Sequence, residues 1–167
     1  MNAGFLPRWQ SKWMLVPRLV AALPLLILGA KHFVDPDHFE NILVASRLPM
    51  VNVTLLAAPT TECAAGLLLF IGLMGRVGGL LGVATMAPAI YSTVIINGMD
   101  NEAAQNLGLS EVPFVPPLPV PVIVLLCSLL VMIVGPGGCS VDGAMRKVPA
   151  PLASEPGEGP PKKPLTD

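Results

Sequence analysis

The chain has 167 residues, enough for one compact domain, and a net charge of −1, which excludes the broad basic surface of a nucleic-acid binder. Hydrophobic residues make up 53% and charged residues 13%, against about 25% charged in soluble domains. A deficit that large, with the apolar residues in long blocks, argues against a soluble fold and makes lipid the expected solvent.

The first apolar block runs from Trp13 to about Phe33 and the second from Val51 to Met74. The third runs from Val77 to about Ile96 and the fourth, the shortest, from Leu118 to about Val134. At roughly 1.5 Å per residue each reaches, or nearly reaches, across a hydrocarbon core of about 30 Å. The expected fold is all-α: a four-helix transmembrane bundle with a short interfacial helix between spans one and two. Residues 1–148 form the membrane domain, and 149–167, rich in Pro, Gly, Glu and Lys, form a disordered cytoplasmic tail. The first block has the basic flank of a signal peptide, but Leu28-Gly29-Ala30 lacks the small first residue of a cleavage site. It is expected to stay as an anchor.

Between spans one and two, Asp35-Pro36 reads as an N-cap with proline at the first helical position. Phe39, Ile42 and Leu43 then share a face, as expected of a helix in the interface that ends before Pro49. In span three, Gly75 with Gly79 and Gly78 with Gly82 make two overlapping small-xxx-small pairs, a face that lets backbones approach closely. Pro88 should kink that span, leaving a carbonyl near Thr85 and Thr93 for a hydroxyl to satisfy. The segment 97–117 reads as a long proline-containing loop, and Gly135-Pro136-Gly137-Gly138 ends span four. Ser140 then caps a short surface helix through Lys147.

The basic residues set the expected orientation. Arg8, Lys12, Arg18, Arg76, Arg146, Lys147, Lys162 and Lys163 all fall on one side of a four-span arrangement, and Lys31 and Arg47 on the other. Positive-inside logic puts both termini in the cytoplasm, with the protein multi-pass.

Glu62 is the strongest candidate for chemistry. It lies near the middle of span two, where a carboxylate must face the bundle interior and find a cation, a hydrogen bond or a proton. The plain alternative is a buried pair that only locks two helices. Its candidate charge partners are Lys31, with His32 beside it, and Arg18. Depth along the helices favours neither end decisively, but Arg18 can snorkel to the cytoplasmic headgroups, so Lys31 is preferred. Arg76 sits in the turn between spans two and three.

Other signals are weaker. His32, Asp35, Asp37, His38 and Glu40 are of metal-ligand type, but their spacing fits no metal signature, so no metal is expected. No pair of histidines at mid-membrane depth suggests haem. Tyr91, Ser92 and Thr93, with Asn52 and Thr54 opposite, read as ordinary interhelical hydrogen bonding or as a polar path toward Glu62. Cys63, Cys127 and Cys139 form no CxxC pair.

Four pieces then carry a resemblance. Arg18 precedes Gly29-Ala30-Lys31 in span one, and Asp35-Pro36 with Phe39 opens the connector. Glu62 is followed by Gly72-Leu73 and Arg76, and Gly135-Pro136-Gly137 by Ser140-Val141-Asp142. In this order, over about residues 14 to 145, they resemble the DoxX family of small bacterial four-span membrane proteins. The resemblance implies a relation to the small membrane subunits of thiosulfate:quinone oxidoreductase and to membrane oxidoreductase complexes of oxidative-stress handling. It implies an accessory subunit of a quinone-linked complex, with a quinone as the candidate cofactor and other membrane subunits, or further copies of the chain, as partners in the bilayer. A non-catalytic scaffold or assembly factor is the alternative. A small transporter is disfavoured, because no inverted repeat or broken helix pair is visible.

Overall fold

The computed structural model describes residues 10–137 and 139–142, and among these the chain is helical with no strand. The helices are α1 (Gln10–Trp13), α2 (Leu15–Val34), α3 (Pro36–Ala45), α4 (Val51–Ile71), α5 (Gly75–Asn97), α6 (Asn101–Asn106) and α7 (Pro119–Val134). Three of them, α2, α4 and α5, are long and apolar enough to cross a membrane. The 16 residues of α7 extend roughly 24 Å, short of a hydrocarbon core of about 30 Å. The expected tail, the helix past Asp142 toward Lys147, and the basic residues Arg8, Arg146, Lys147, Lys162 and Lys163 lie outside the described residues.

The helix boundaries follow from local chemistry. Asp35 Oδ1 accepts from the His38 amide at 3.2 Å and Pro36 fills the first position of α3, as the sequence predicts. A three-residue turn, Gly72–Met74, reverses the chain between α4 and α5. Gly72 has φ +74°, and a Cβ there would also sit 2.5 Å from an Arg18 nitrogen, so the position is closed to side chains twice over. The segment expected to be only a loop contains α6, capped by Asp100 Oδ1, which accepts from the Ala103 amide at 2.8 Å. Six residues with one cap leave no long apolar period to detect.

The long helices pack in a ring, α2 on α4, α4 on α5, α5 on α7 and α7 back on α2, each antiparallel to the next. Each presents a stripe at helical spacing: Arg18, Ala21, Ala22, Leu25 and Gly29 on α2; Pro59, Glu62, Ala65, Gly66 and Leu69 on α4; Pro121, Val124, Ser128 and Val131 on α7. The glycines of α5 divide between two neighbours. Gly78 faces Leu68 and Leu69 of α4, while Gly75, Gly79 and Gly82 face Pro136 and the Ser128–Met132 stretch of α7. Backbone contact is closest at Gly79, where a Cβ would lie 2.7 Å from the Ser128 carbonyl oxygen. Helix α5 runs continuously through Pro88. The Thr85 hydroxyl donates to the Leu81 and Gly82 carbonyls and that of Thr93 to Ala89.

A second small core closes the end of the bundle away from Arg18. Ile42 and Ala45 of α3 pack there with Ile96, Ala104 and Leu109, and Val112 and Val115 lie against them. Helix α3 thus sits across the mouth formed by α2, α4 and α5.

Candidate functional site

Two buried polar sites stand along α4, one at mid-helix and one at its last turn. The first is built on Glu62, near the midpoint of that helix and roughly 13 Å from its last residue. Glu62 lies on the buried stripe of α4 and is 5% exposed. His32 continues the buried stripe of α2 by one more turn, three residues past Gly29, and its Nε2 stands 3.8 Å from Glu62 Oε2. That separation is too long for a hydrogen bond, and among the described residues Oε2 has no hydrogen-bond partner. The His32 ring is held flat against Phe39 of α3, with ring centroids 4.0 Å apart and planes at 27°. Phe39 therefore fixes the imidazole that faces the carboxylate.

The carboxylate lines a cavity of about 100 Å³, room for several waters or one small ring. Thr54 and Ala58 of α4, Met86 and Ala89 of α5, and Leu28 of α2 form its sides. Phe39, Ile42 and Leu48 cover it from the α3 end, with Val115 and Pro116 beside them. His38 Nε2 lies 3.0 Å from the Phe114 carbonyl oxygen and ties that strap to α3. Of the polar path considered in the sequence, Thr54, Ser92 and Thr93 line the cavity, whereas Tyr91 and Asn52 are exposed on the outside of the bundle. The Thr54 hydroxyl donates within its own helix, to Met50, as does that of Thr93, so these hydroxyls do not cross between helices.

The charge partners preferred for Glu62 are corrected by this geometry. Lys31 is exposed, because it is one residue, or about 100° of helix, away from His32 and off the buried stripe. Arg18 neither pairs with Glu62 nor snorkels. It is 1% exposed and forms the second polar site, at the opposite end of the bundle. Its Nε donates to the Leu69 carbonyl at 2.9 Å and one terminal nitrogen to Phe70 at 3.1 Å. The other terminal nitrogen donates to Pro136 at 3.0 Å and to Cys139 at 2.8 Å. The first two acceptors are last-turn carbonyls of α4, which a helix leaves without internal partners and where positive charge is favoured. The other two belong to the turn after α7.

Asp142, known from the sequence only as part of the motif after span four, completes this end. Its two carboxylate oxygens accept from the amides of Met74 and Gly75 at 2.9 and 3.0 Å, capping α5, and its own amide donates to the Gly72 carbonyl at 3.2 Å. Arg76 is exposed at the same turn. Among the described residues no three of His, Cys, Asp and Glu converge as metal ligands, and the three cysteines are free.

Residues 13–95 match the family model of DoxX. The chain belongs to the DoxX family. The match takes in Arg18, Lys31, His32, Glu62, Arg76 and the α5 glycines. It stops before α6 and α7, so the resemblance expected as far as about residue 145 is matched over a shorter stretch. The Val115–Pro116 cover of the cavity and the Pro136–Asp142 turn that receives Arg18 both lie outside the matched part of this DoxX protein. No curated protein and no solved structure matches it. Family membership and the three long apolar helices make it a membrane protein.

Proposed function

We propose that this DoxX-family protein is an accessory subunit of a quinone-linked redox complex in a bacterial inner membrane, with Glu62 as its proton-handling or quinone-contacting group. The observation that carries this reading is a carboxylate oxygen without a hydrogen-bond partner, buried at mid-helix and facing a cavity. A carboxyl group at such depth is costly, so its retention points to use rather than packing. A purely structural acid would hold a hydrogen bond or an adjacent cation, and here the nearest basic nitrogen is 3.8 Å away.

In this reading α7 is the fourth span, lengthened at its start by Pro116–Leu118, and both termini are cytoplasmic by the positive-inside rule. Residues 1–148 then form the membrane domain and 149–167 a tail outside it. Partner subunits, or further copies of the chain, cover the bundle alongside lipid.

The test is Glu62→Gln in the native membrane. The amide keeps size and removes the titratable proton, so quinone-linked turnover should fall about 100-fold or more, the scale of a lost general acid or base, while the protein accumulates normally. Unchanged turnover would return Glu62 to a structural role and leave a non-catalytic scaffold as the better reading.

A further inference from the structure

The cavity at Glu62 has a chemistry specific enough to name its occupant. Among the described residues Glu62 Oε2 is buried without a hydrogen-bond partner, and as an ionised carboxylate it accepts only. Beside it stands His32 Nε2, 3.8 Å away. A single oxygen can lie roughly 2.8 Å from both, donating to Glu62 and meeting the ring nitrogen, because that separation is shorter than two hydrogen bonds laid end to end. A hydroxyl group does this with the ionised carboxylate; a carbonyl or ether oxygen cannot donate to it. An anion is disfavoured, since it would face the carboxylate with no lysine or arginine in reach among the described residues: Lys31 is exposed and Arg18 is engaged at the other end.

The remaining walls are apolar and one is flat. Leu28, Ile42, Leu43 and Met86 surround the space, and the stacked rings of His32 and Phe39 form a planar side. The volume, about 100 Å³, approaches the roughly 150 Å³ of an apolar cavity known to admit benzene. Access also has a direction. From the α3 end the cavity is covered by Phe39, Ile42, Leu48 and the pinned strap. Toward the side of the bundle, Pro88 both lines the cavity and is exposed, within about two turns of Glu62's depth, and Ala58 and Thr54 across from it are only half-buried. These residues put the way in between α4 and α5, on a side of the bundle that a surrounding bilayer would border.

We infer that this cavity binds an uncharged, membrane-dissolved hydroxyaromatic molecule, of the phenol or hydroquinone class, which comes in from the lipid between α4 and α5 and donates its hydroxyl to Glu62. This deepens the reading of Glu62 as a ligand-contacting group and rests on it. It adds that the ligand is recognised through a donated hydrogen, so a hydroxylated ring binds and its ether does not.

The experiment uses the full chain in lipid nanodiscs and two probes, a para-alkylphenol and the matching methyl ether, with binding measured against their mole fraction in lipid. The phenol should bind about 10- to 100-fold more tightly than the ether, the range expected for one buried hydrogen bond to a charged or strongly polar acceptor. Glu62→Leu should remove that preference. Glu62→Gln, whose amide oxygen still accepts, should keep it within a few-fold, so the inference stays testable if the leucine variant does not fold. Equal binding of phenol and ether, an undiminished preference in Glu62→Leu, or affinity that follows aqueous rather than membrane concentration would each overturn it. The two readings fail separately. Phenol preference with unchanged turnover in Glu62→Gln sinks the redox role alone; lost turnover without phenol preference sinks the ligand assignment alone.

Discussion

Replacing Arg18 by methionine isolates the polar site at the end of the bundle opposite α3. The methionine chain fills much of the same space and removes only the guanidinium. Four hydrogen bonds from a charged donor to backbone carbonyls are lost, between 2.8 and 3.1 Å in length. At about 1.5–3 kcal/mol each they set a ceiling of roughly 6–12 kcal/mol. The desolvation of the guanidinium is recovered at the same time, and the net cost should resemble that of breaking other buried charged contacts, about 3–5 kcal/mol. Arg18 is 1% exposed, so screening by water does not discount this figure. The assay is reversible unfolding in mixed micelles, followed by circular dichroism. Arg18→Lys should restore less than half of the loss, because three donors on a single nitrogen cannot reproduce a planar fork that serves four carbonyls on two separate backbone segments. A methionine variant within about 0.5 kcal/mol of the parent, the range of an ordinary surface change, would refute the assignment of this network as a principal tie of the fold.

Further outcomes follow from the same geometry. Asp142→Ala removes the cap of α5 and should cost about 1–2 kcal/mol by the same unfolding assay. Combined with Arg18→Met it should cost less than the two single losses added, since both residues hold the one segment after Gly135. Gly79→Ala places a methyl against the backbone of α7 and should destabilise by about 1–3 kcal/mol, whereas Gly98→Ala, whose Cβ would meet nothing nearer than 3.6 Å, should change stability by less than about 0.5 kcal/mol. Equal effects at the two glycines would contradict the close approach of α5 and α7.

The residues that could be read from sequence are those governed by length and polarity. Twenty-residue apolar blocks, an Asp-Pro helix start and a mid-span carboxylate each have a local signature, and the helices, the cap of α3 and the burial of Glu62 accord with it. What was not read is direction around the helix axis. Arg18 was expected at the headgroups because its depth allowed it. Its place on the stripe with Ala21, Ala22, Leu25 and Gly29 turns it inward, and that stripe was already in the sequence to be found. The same rotation separates His32 from Lys31. Within blocks that are apolar on all sides, hydrophobic periodicity is too weak to report rotation, and small residues are the better guide. The acceptors of Arg18 had no local signature at all. They are backbone carbonyls at positions 69, 70, 136 and 139, brought together only when α2, α4 and α7 are assembled.

That assembly has a consequence for the order in which the protein is made. Half of the acceptors for a cation near the start of the first long helix are synthesised more than a hundred residues later, and so is the carboxylate that caps α5. While the chain is emerging from the ribosome, three membrane helices exist before the segment that fastens them. Until Pro136 to Asp142 arrive, the nascent bundle must be held by other means, with the insertion machinery or lipid headgroups attending to Arg18. Arrival of Pro136, Cys139 and Asp142 is then the event that converts loosely associated helices into a finished domain, and lesions there should appear as rapid turnover of newly made protein rather than as a defect in mature molecules.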